Sequence, residues 1–310
     1  MSRIHEALKK AEQERAVTQG NSLPPGFATT PVADPPVFDD TPAATVAAAA
    51  PTRPGMPAFA SPFGIDTLLA RCPQLEWKPD PATMLFLHGD DSARGTEEFR
   101  TLRSRLYHLR EKMPLKKLLV TSALPREGKS FTSSNLAQVV VRQHGRRALL
   151  IDADLRAPRL HLMLGTTSDP GLSDYLLGKS DEFSIMQRGP LENLFFIPSG
   201  TGAADPAELI GNGRLKMLLQ RVEPLFDWII IDSPPAVPVS DASVLAKACD
   251  GVLMVVRSNS TPVDLARKAR QEFPDEALVG MVLNGTSEDA MPYARYYYES
   301  YQKKAAATKV

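Results

Sequence analysis

Residues 117–131 read KLLVTSALPREGKSF, and this order of residue types predicts a strand, a loop and the start of a helix. The apolar first half is typical of a buried strand that breaks at Ser122. Further on, residues 135–144 have the apolar spacing of a buried helix. Between the two, Gly-Lys-Ser at 128–130 would lie near a helix N-terminus, where backbone N–H groups and the helix dipole favour phosphate. The stretch therefore predicts a nucleotide-binding loop.

Individual side chains of this loop suit phosphate and metal binding. Lys129 could reach the β- and γ-phosphates of a nucleotide, and the Ser130 hydroxyl could hold Mg²⁺. The first glycine of the G-x-x-x-x-G-K-[ST] pattern is missing, because Ala123 stands there. A chance occurrence of Gly-Lys-Ser therefore remains an alternative on this motif alone.

Composition limits the classes of protein that fit. The 310 residues include 36 basic and 36 acidic side chains, so no net field attracts nucleic acid or anionic lipid. Cys72 and Cys249 are far apart and form no C-x-x-C pair, which argues against a cysteine-based metal site and fits a reducing compartment. No apolar run approaches the length of a membrane span, and the polar N-terminus is unlike a signal peptide. We expect a soluble, cytoplasmic protein without a membrane span of its own.

Four segments are expected along the chain. Residues 1–16 predict a short amphipathic helix, which is either a fraying terminus or a docking helix for a partner. A Pro/Ala-rich composition follows, and we assign 17–75 to a disordered linker. The main domain is assigned to 76–290, and only short elements are expected over 64–92. A flexible, tyrosine-rich tail is assigned to 291–310.

Apolar runs and helical patterns alternate through the main domain. The apolar runs are continuous, as in strands covered by helices on both faces. This alternation predicts an α/β fold, with a doubly wound, mostly parallel sheet flanked by helices. The predicted strands after the loop are 147–151, 194–198, 228–231, 251–256 and 278–283, and the predicted helices are 97–113, 206–221 (interrupted near Gly211 and Gly213), 239–247 and 263–273.

Two of the predicted strands end in aspartate. One leads into Asp152 and Asp154, and the other into Asp232. Carboxylates at the C-terminal ends of parallel strands face the crevice where such sheets bind ligands. Asp154 and Asp232 are candidate Mg²⁺ ligands, and Asp152 is a candidate for taking a proton. Any one of them could be a turn or cap residue, but three after apolar triplets favour a site for phosphoryl transfer.

Two further patterns suggest interactions. The first helix carries Glu97, Arg100 and Arg103 at spacings of three, which is either a salt-bridged surface or a strip for a neighbouring subunit. The tail holds five of the seven tyrosines of the chain, in an order without a helical or strand period. An aromatic edge strand is one interpretation, and a string of phosphate acceptors is the other. These tyrosines are Tyr293, Tyr296, Tyr297, Tyr298 and Tyr301.

From about 97 to 301, the chain resembles the bacterial tyrosine kinases of capsule and exopolysaccharide systems. In these, a P-loop domain related to the MinD/ParA ATPases phosphorylates tyrosine. The N-terminal segment is similar to openings seen in the exosortase-associated branch. The residues that carry the resemblance are Ala123, Pro125, Glu127, Gly128, Lys129 and Ser130 (Walker A), Asp152, Asp154, Arg156 and Pro158 (Walker A′), Asp232, Pro234 and Pro235 (Walker B), and Glu97, Arg100 and Arg103 (oligomerisation).

The resemblance implies an ATP- and Mg²⁺-dependent tyrosine autokinase with Asp152 as the base. The chain departs from the family at Arg126, where a small residue is usual. Asn284 is either an adenine-reading residue or a turn residue. The implied catalytic residues are Lys129, Asp152, Asp154 and Asp232, the metal ligands are Ser130, Asp154 and Asp232, and the nucleotide-binding residues are Ala123, Pro125, Arg126, Glu127, Gly128, Lys129, Ser130, Phe131 and Asn284.

The resemblance also implies partners. These are a transmembrane chain-length or co-polymerase adaptor, further copies of the chain in a ring, and a cognate tyrosine phosphatase, without nucleic acid. The kinase would lie at the inner membrane through the adaptor, phosphorylate its tail in trans, and regulate polysaccharide polymerisation and export.

Two alternative functions remain open. A MinD/ParA-type regulatory ATPase would have the same fold without kinase activity, but such proteins carry a second lysine where Leu124 stands. The zero net charge weakens a DNA-partitioning role further. A catalytically inactive scaffold is disfavoured because Lys129 and the three aspartates are all present.

Overall fold

The computed structural model describes residues 64–86, 95–202 and 204–286 of the chain. The predicted helix at 1–16 and the tyrosine-rich tail at 291–310 lie outside these residues, as does most of the predicted linker. Within them, no helix is both long and apolar enough to cross a membrane.

A sheet of seven strands forms the centre of the described domain. The strands are β1 Lys117–Ser122, β2 Ala148–Asp152, β3 Gln187–Arg188, β4 Leu194–Ile197, β5 Trp228–Asp232, β6 Gly251–Arg257 and β7 Leu278–Asn284. Their order is β3-β4-β2-β5-β1-β6-β7. Every neighbouring pair is parallel except β3 and β4. The prediction of a mostly parallel sheet is confirmed.

Helices cover the sheet on both sides. They are α1 Ile65–Arg71, α2 Thr96–Arg110, α3 Lys129–Val141, α4 Leu160–Leu164, α5 Leu172–Leu176, α6 Pro206–Gly211, α7 Arg214–Val222, α8 Asp241–Ala246 and α9 Val263–Gln271, with 3₁₀ turns at Glu223–Leu225 and Asp275–Ala277. The predicted break in the helix after residue 206 is confirmed, because Asn212 and Gly213 separate α6 from α7.

Alternate residues of the strands enter two separate apolar cores. On β4, Phe195 packs into one core and Phe196 into the other, where α2 and α3 also contribute. Helices α7, α8 and α9 contribute to the core that holds Phe195. Burying one such aromatic side chain contributes roughly 1.5–3 kcal/mol. The continuous apolar runs of the sequence therefore reflect a sheet that is buried on both faces.

Helix α3 begins at Lys129, six residues before the predicted start of this helix. Its first two turns carry polar side chains that are nevertheless buried, including Ser130, Ser133 and Asn135. These residues interrupt the apolar spacing, and the periodicity becomes visible only at Leu136. The early start places Lys129 in the first turn of the helix, next to the loop.

The domain also begins earlier than the predicted residue 76. Helix α1 lies inside the segment assigned to the linker, and its Leu68 is fully buried in the core. Short elements were expected over 64–92, but one buried side chain in seven residues gives little periodic signal, so this helix itself was not predicted. Helices α4 and α5 and strand β3 were missed as well, because none exceeds five residues.

Candidate active site

Strand order brings the predicted site residues to one edge of the sheet. Strand β5 lies between β1 and β2, and its Asp232 is paired in register with Asp152 of β2 and Val120 of β1. The loop that leaves β1 leads into α3 at Lys129. Because parallel strands share a direction, the loop and the carboxylates meet at their C-terminal ends. The structure thus brings together the residues that the motifs predicted.

Lys129 is buried between two carboxylates. Its Nζ lies 2.7 Å from Asp154 Oδ2 and 3.9 Å from Asp232 Oδ2. Burial by itself lowers the pKa of Lys129, but the attraction of Asp232 and Asp154 outweighs it, so the pKa is raised. The lysine therefore stays a cation, which is the form that binds phosphate oxygens.

Asp232 is held by two hydroxyl groups of α3. Ser130 Oγ donates to its Oδ2 at 2.5 Å, and Ser133 Oγ donates to its Oδ1 at 3.0 Å. The carboxyl is fully buried, and burial raises its pKa despite the opposing charge of Lys129. Ser133 was not among the predicted site residues, although it lies one helical turn after Ser130 and so shares its face.

Asp152 is fully buried and accepts backbone hydrogen bonds. Its Oδ2 accepts from Leu160 N at 3.1 Å, and its Oδ1 is 3.3 Å from Asp154 N. Burial, followed by the charge of Asp232, raises its pKa to about 8. The side chain thus orders the turn after β2, and its raised pKa makes it a stronger base than an exposed aspartate.

The phosphate loop contains two residues with positive φ angles. Gly128 has a φ of 100°, and Arg126 adopts a left-handed conformation at 66°. Asn284 at the end of β7 donates from Nδ2 to Glu127 O at 2.9 Å. A Cβ atom on Gly128 would lie 1.9 Å from Asn284 Nδ2. Only glycine therefore fits at Gly128, and Asn284 contacts the loop directly.

The other predicted loop residues differ in their surroundings. Ala123 is buried, whereas Pro125 and Arg126 are exposed. Phe131 is half-buried and packs against Phe99 of α2, with ring centroids 5.8 Å apart. The Glu127 side chain is buried, and its carboxylate accepts from Leu124 N at 2.8 Å and from Thr261 Oγ1. Sequence reasoning did not single out Thr261.

An ion pair connects the turn after β2 to α8. Arg156 donates from Nε and Nη2 to the two carboxylate oxygens of Asp241, at 2.7 and 2.9 Å. Asp241 is fully buried, so this bidentate contact compensates a buried charge. The hydrogen bond also raises the pKa of Arg156. Asp241 was not predicted, because an aspartate in the first turn of a helix is also typical of an ordinary helix N-terminus.

The three residues of the charged strip on α2 have different contacts. Glu97 and Arg100 form an ion pair within the helix. Arg103 donates from Nη1 to Val139 O at 2.8 Å, so it ties α2 to α3 of the same chain. The five tail tyrosines lie outside the described residues.

Known proteins resemble the chain in sequence and in structure. A family model described as an AAA domain matches residues 127–264. Tyrosine-protein kinase YwqD of Bacillus subtilis is 35% identical over 192 residues, which are 61% of this chain and 81% of that protein. The kinase domain of the Escherichia coli tyrosine kinase ETK superposes with a TM-score of 0.60 at 32% identity, over 66% of this chain and 80% of that domain.

Tyrosine-protein kinase wzc of Salmonella typhimurium is a longer relative. It is 30% identical over 222 residues, which are 71% of this chain but only 31% of that protein. The match to YwqD, by contrast, covers most of that protein. The chain belongs to the family of bacterial tyrosine-protein kinases.

Proposed function

We propose that the chain binds ATP with Mg²⁺ and transfers the γ-phosphoryl group to tyrosines of its own tail. The observation that carries the proposal is the convergence of Lys129 with Asp154 and Asp232 beneath the phosphate loop. A buried lysine at a helix N-terminus provides positive charge where phosphate oxygens would bind. Family membership supports tyrosine as the acceptor.

The residues at the site fit a magnesium ion. Ser130, Asp154 and Asp232 offer only oxygen ligands, which are the ligands that Mg²⁺ prefers. Both aspartates already accept hydrogen bonds within the site. Asp154 accepts from the Lys129 ammonium, and Asp232 accepts from the Ser130 hydroxyl. When bound, the ion would neutralise charge on the phosphates. We assign Ser130, Asp154 and Asp232 as the residues that hold it.

Asp152 is proposed as the base that receives the tyrosine proton. A free tyrosine has a pKa of about 10, so few hydroxyls are ionised at neutral pH. The raised pKa of Asp152 supports this role, because it increases the affinity of the carboxylate for a proton. Its backbone hydrogen bonds support a second role in ordering the loop.

Asn284 is proposed to contribute to the adenine end of the nucleotide site as well as to the loop. Its position at the end of β7 supports this assignment. In the structure its Nδ2 donates to Glu127 O, so adenine contact would use its carbonyl oxygen or require a rotation of the amide. The same hydrogen bond supports the alternative that Asn284 is a structural residue of the loop.

We further propose that phosphorylation occurs in trans within a ring of subunits. Glu97 and Arg100 lie on the outer part of α2, where a neighbour could contact them, whereas Arg103 is engaged by Val139. Each added phosphate brings about −1.5 to −2 charges. Five phosphotyrosines would repel one another and the ionised carboxylates of the site, and this repulsion would loosen the ring.

The cellular role proposed from the family is regulation of exopolysaccharide or capsule polymerisation and export. The kinase would lie in the cytoplasm, at the inner membrane, through a transmembrane adaptor, and a cognate phosphatase would reverse the modification. The predicted helix at 1–16 is the proposed docking element. If deletion of residues 1–60 leaves localisation in cells unchanged, this docking role is wrong.

The decisive experiment is incubation of the purified chain with Mg-ATP, followed by phosphotyrosine detection and mass spectrometry. We expect phosphate on the five tail tyrosines and none in Lys129→Met. Asp152→Asn should lower transfer far more than ATP binding. Transfer in trans is tested by mixing Lys129→Met, which keeps its tail, with an active variant that lacks the tail tyrosines. Phosphate on the tail of Lys129→Met would support transfer between chains. ATP hydrolysis without phosphotyrosine would instead favour a regulatory ATPase.

A further inference from the structure

Three residues at or just after the ends of β6 and β7 contact the phosphate loop. They are Arg257, Thr261 and Asn284. Thr261 Oγ1 donates to the Glu127 carboxylate, and it accepts from Arg257 N at 3.0 Å. Arg257 Nη1 donates to Arg126 O at 3.1 Å. Asn284 Nδ2 donates to Glu127 O. The backbone of the loop is therefore held at two successive carbonyls, and its carboxylate at both oxygens.

The carboxylate of Glu127 presents an electrostatic problem for a phosphate-binding loop. An anion within a few residues of Lys129 and Ser130 opposes the binding of a phosphate chain, and the effect is larger in a poorly hydrated site. Here Glu127 is only 3% exposed, and each of its carboxylate oxygens accepts a hydrogen bond, Oε2 from Leu124 N and Oε1 from Thr261 Oγ1. These bonds tie the carboxylate to Leu124 within the loop and to Thr261, which lies two residues before α9.

We propose that Thr261 is a positioning residue for nucleotide binding. Its hydroxyl holds the Glu127 carboxylate away from the phosphates and fixes the loop in the conformation that presents its N–H groups. Without the hydroxyl, Glu127 Oε1 loses its partner, and the carboxylate gains freedom to turn toward the nucleotide. This role deepens the proposed function, since it rests on ATP binding at the loop.

The test measures the affinity of the full chain for ADP and ATP with Mg²⁺ by titration calorimetry. Thr261→Val should weaken binding by roughly tenfold or more, as expected for loss of a hydrogen bond to a charged group. Thr261→Ser, which keeps the hydroxyl, should bind within about twofold of the wild type. Glu127→Gln in the Thr261→Val background should recover part of the affinity, because a neutral amide does not repel phosphate.

Thr201→Val is the matched control. Thr201 Oγ1 donates to Asp174 Oδ1 at 2.8 Å, which is the same kind of hydroxyl–carboxylate bond on the loop after β4. Thermal unfolding of all variants reports the cost of losing such a bond. Thr201→Val should lose stability without losing nucleotide affinity.

Three results would overturn the proposal: wild-type affinity in Thr261→Val, an affinity loss in Thr201→Val as large as in Thr261→Val, or no recovery with Glu127→Gln. The outcome is independent of the kinase assay. If the chain binds nucleotide but makes no phosphotyrosine, the proposed kinase function alone is wrong. The nucleotide affinities of the Thr261 variants then still decide the role of Thr261. If the wild-type chain binds no nucleotide, both the proposed kinase function and the proposed role of Thr261 are wrong.

Discussion

Lys129 of the phosphate loop forms an ion pair with Asp154, an aspartate from the turn after a different strand, at 2.7 Å. Both side chains are buried, so removing Lys129 would leave the buried Asp154 carboxylate without its cationic partner. The same lysine therefore stabilises the fold and is the residue that the proposed reaction uses for phosphate. Binding of ATP would exchange one anionic partner for another.

Removal of this lysine should destabilise the nucleotide-free protein. We expect Lys129→Met to lower the free energy of unfolding by about 3 kcal/mol at pH 8, because buried carboxylates are left unpaired. The loss should be smaller at pH 5, where Asp152 and Asp232, with raised pKa values, can bind protons. Urea denaturation at both pH values measures it. Adding Asp154→Asn to Lys129→Met should restore part of the stability, and a strictly additive double variant would contradict the pairing.

Asp152 should make stability depend on pH. Its pKa is about 8 in the folded protein, against about 3.9 in an unfolded chain, so the folded state binds the proton more tightly. This contribution is complete below pH 4 and is lost as the pH rises through 8. We expect the free energy of unfolding of the nucleotide-free protein to fall from pH 5 to pH 8, and to fall less in Asp152→Asn. Equal slopes in the two proteins would argue against the raised pKa.

Gly128 should tolerate no side chain. Gly128→Ala combines a strained φ of 100° with a Cβ atom 1.9 Å from Asn284 Nδ2. Gly145→Ala is the matched control, because Gly145 has a φ of 71° with open space around the position of a Cβ. We expect about 1–2 kcal/mol of lost stability in Gly145→Ala. Gly128→Ala should lose more and bind ATP at least tenfold more weakly, and Asn284→Ala should relieve part of its defect.

The Arg156–Asp241 pair should matter more than a surface ion pair of similar length. Arg156→Ala leaves the fully buried Asp241 without its bidentate partner, and we expect a loss of about 2 kcal/mol and reduced tyrosine phosphorylation. Arg270→Ala removes an exposed pair with Asp275, also at 2.7 Å, and should cost less than about 0.5 kcal/mol. Chemical denaturation of both variants compares them. Similar losses would show that burial of Asp241 is unimportant.

The core of the site could be predicted because its residues follow local rules. Gly128, Lys129 and Ser130 stand in a recognised order after an apolar run, and Asp152 and Asp232 each end one. The parallel topology then brings strand ends together without any further information. Short elements such as α1 and β3 escaped prediction, because a single buried residue or a pair of residues has no measurable period.

The supporting contacts could not be predicted, because they join residues far apart in the sequence. Glu127 and Thr261 are 134 positions apart, and Arg156 and Asp241 are 85 positions apart. Neither threonine nor aspartate at such a position differs from an ordinary turn or cap residue. Arg103 is a similar case. Its spacing left open a salt-bridged surface or a strip for a neighbouring subunit, and it did not indicate that the guanidinium donates to Val139 O of the same chain.

The position of Asn284 limits the distance that the tail tyrosines can lie from the phosphate loop. Its amide touches the phosphate loop at the last residue of β7, and Tyr293 comes nine residues later. A fully extended chain of that length spans about 30 Å, and the 17 residues to Tyr301 span about 58 Å. The proposed acceptors thus follow, in the chain, a residue that contacts the phosphate loop. A segment of that length lets the proposed acceptors return to the site of the same chain, and in the proposed ring it would also let them extend toward the site of a neighbour.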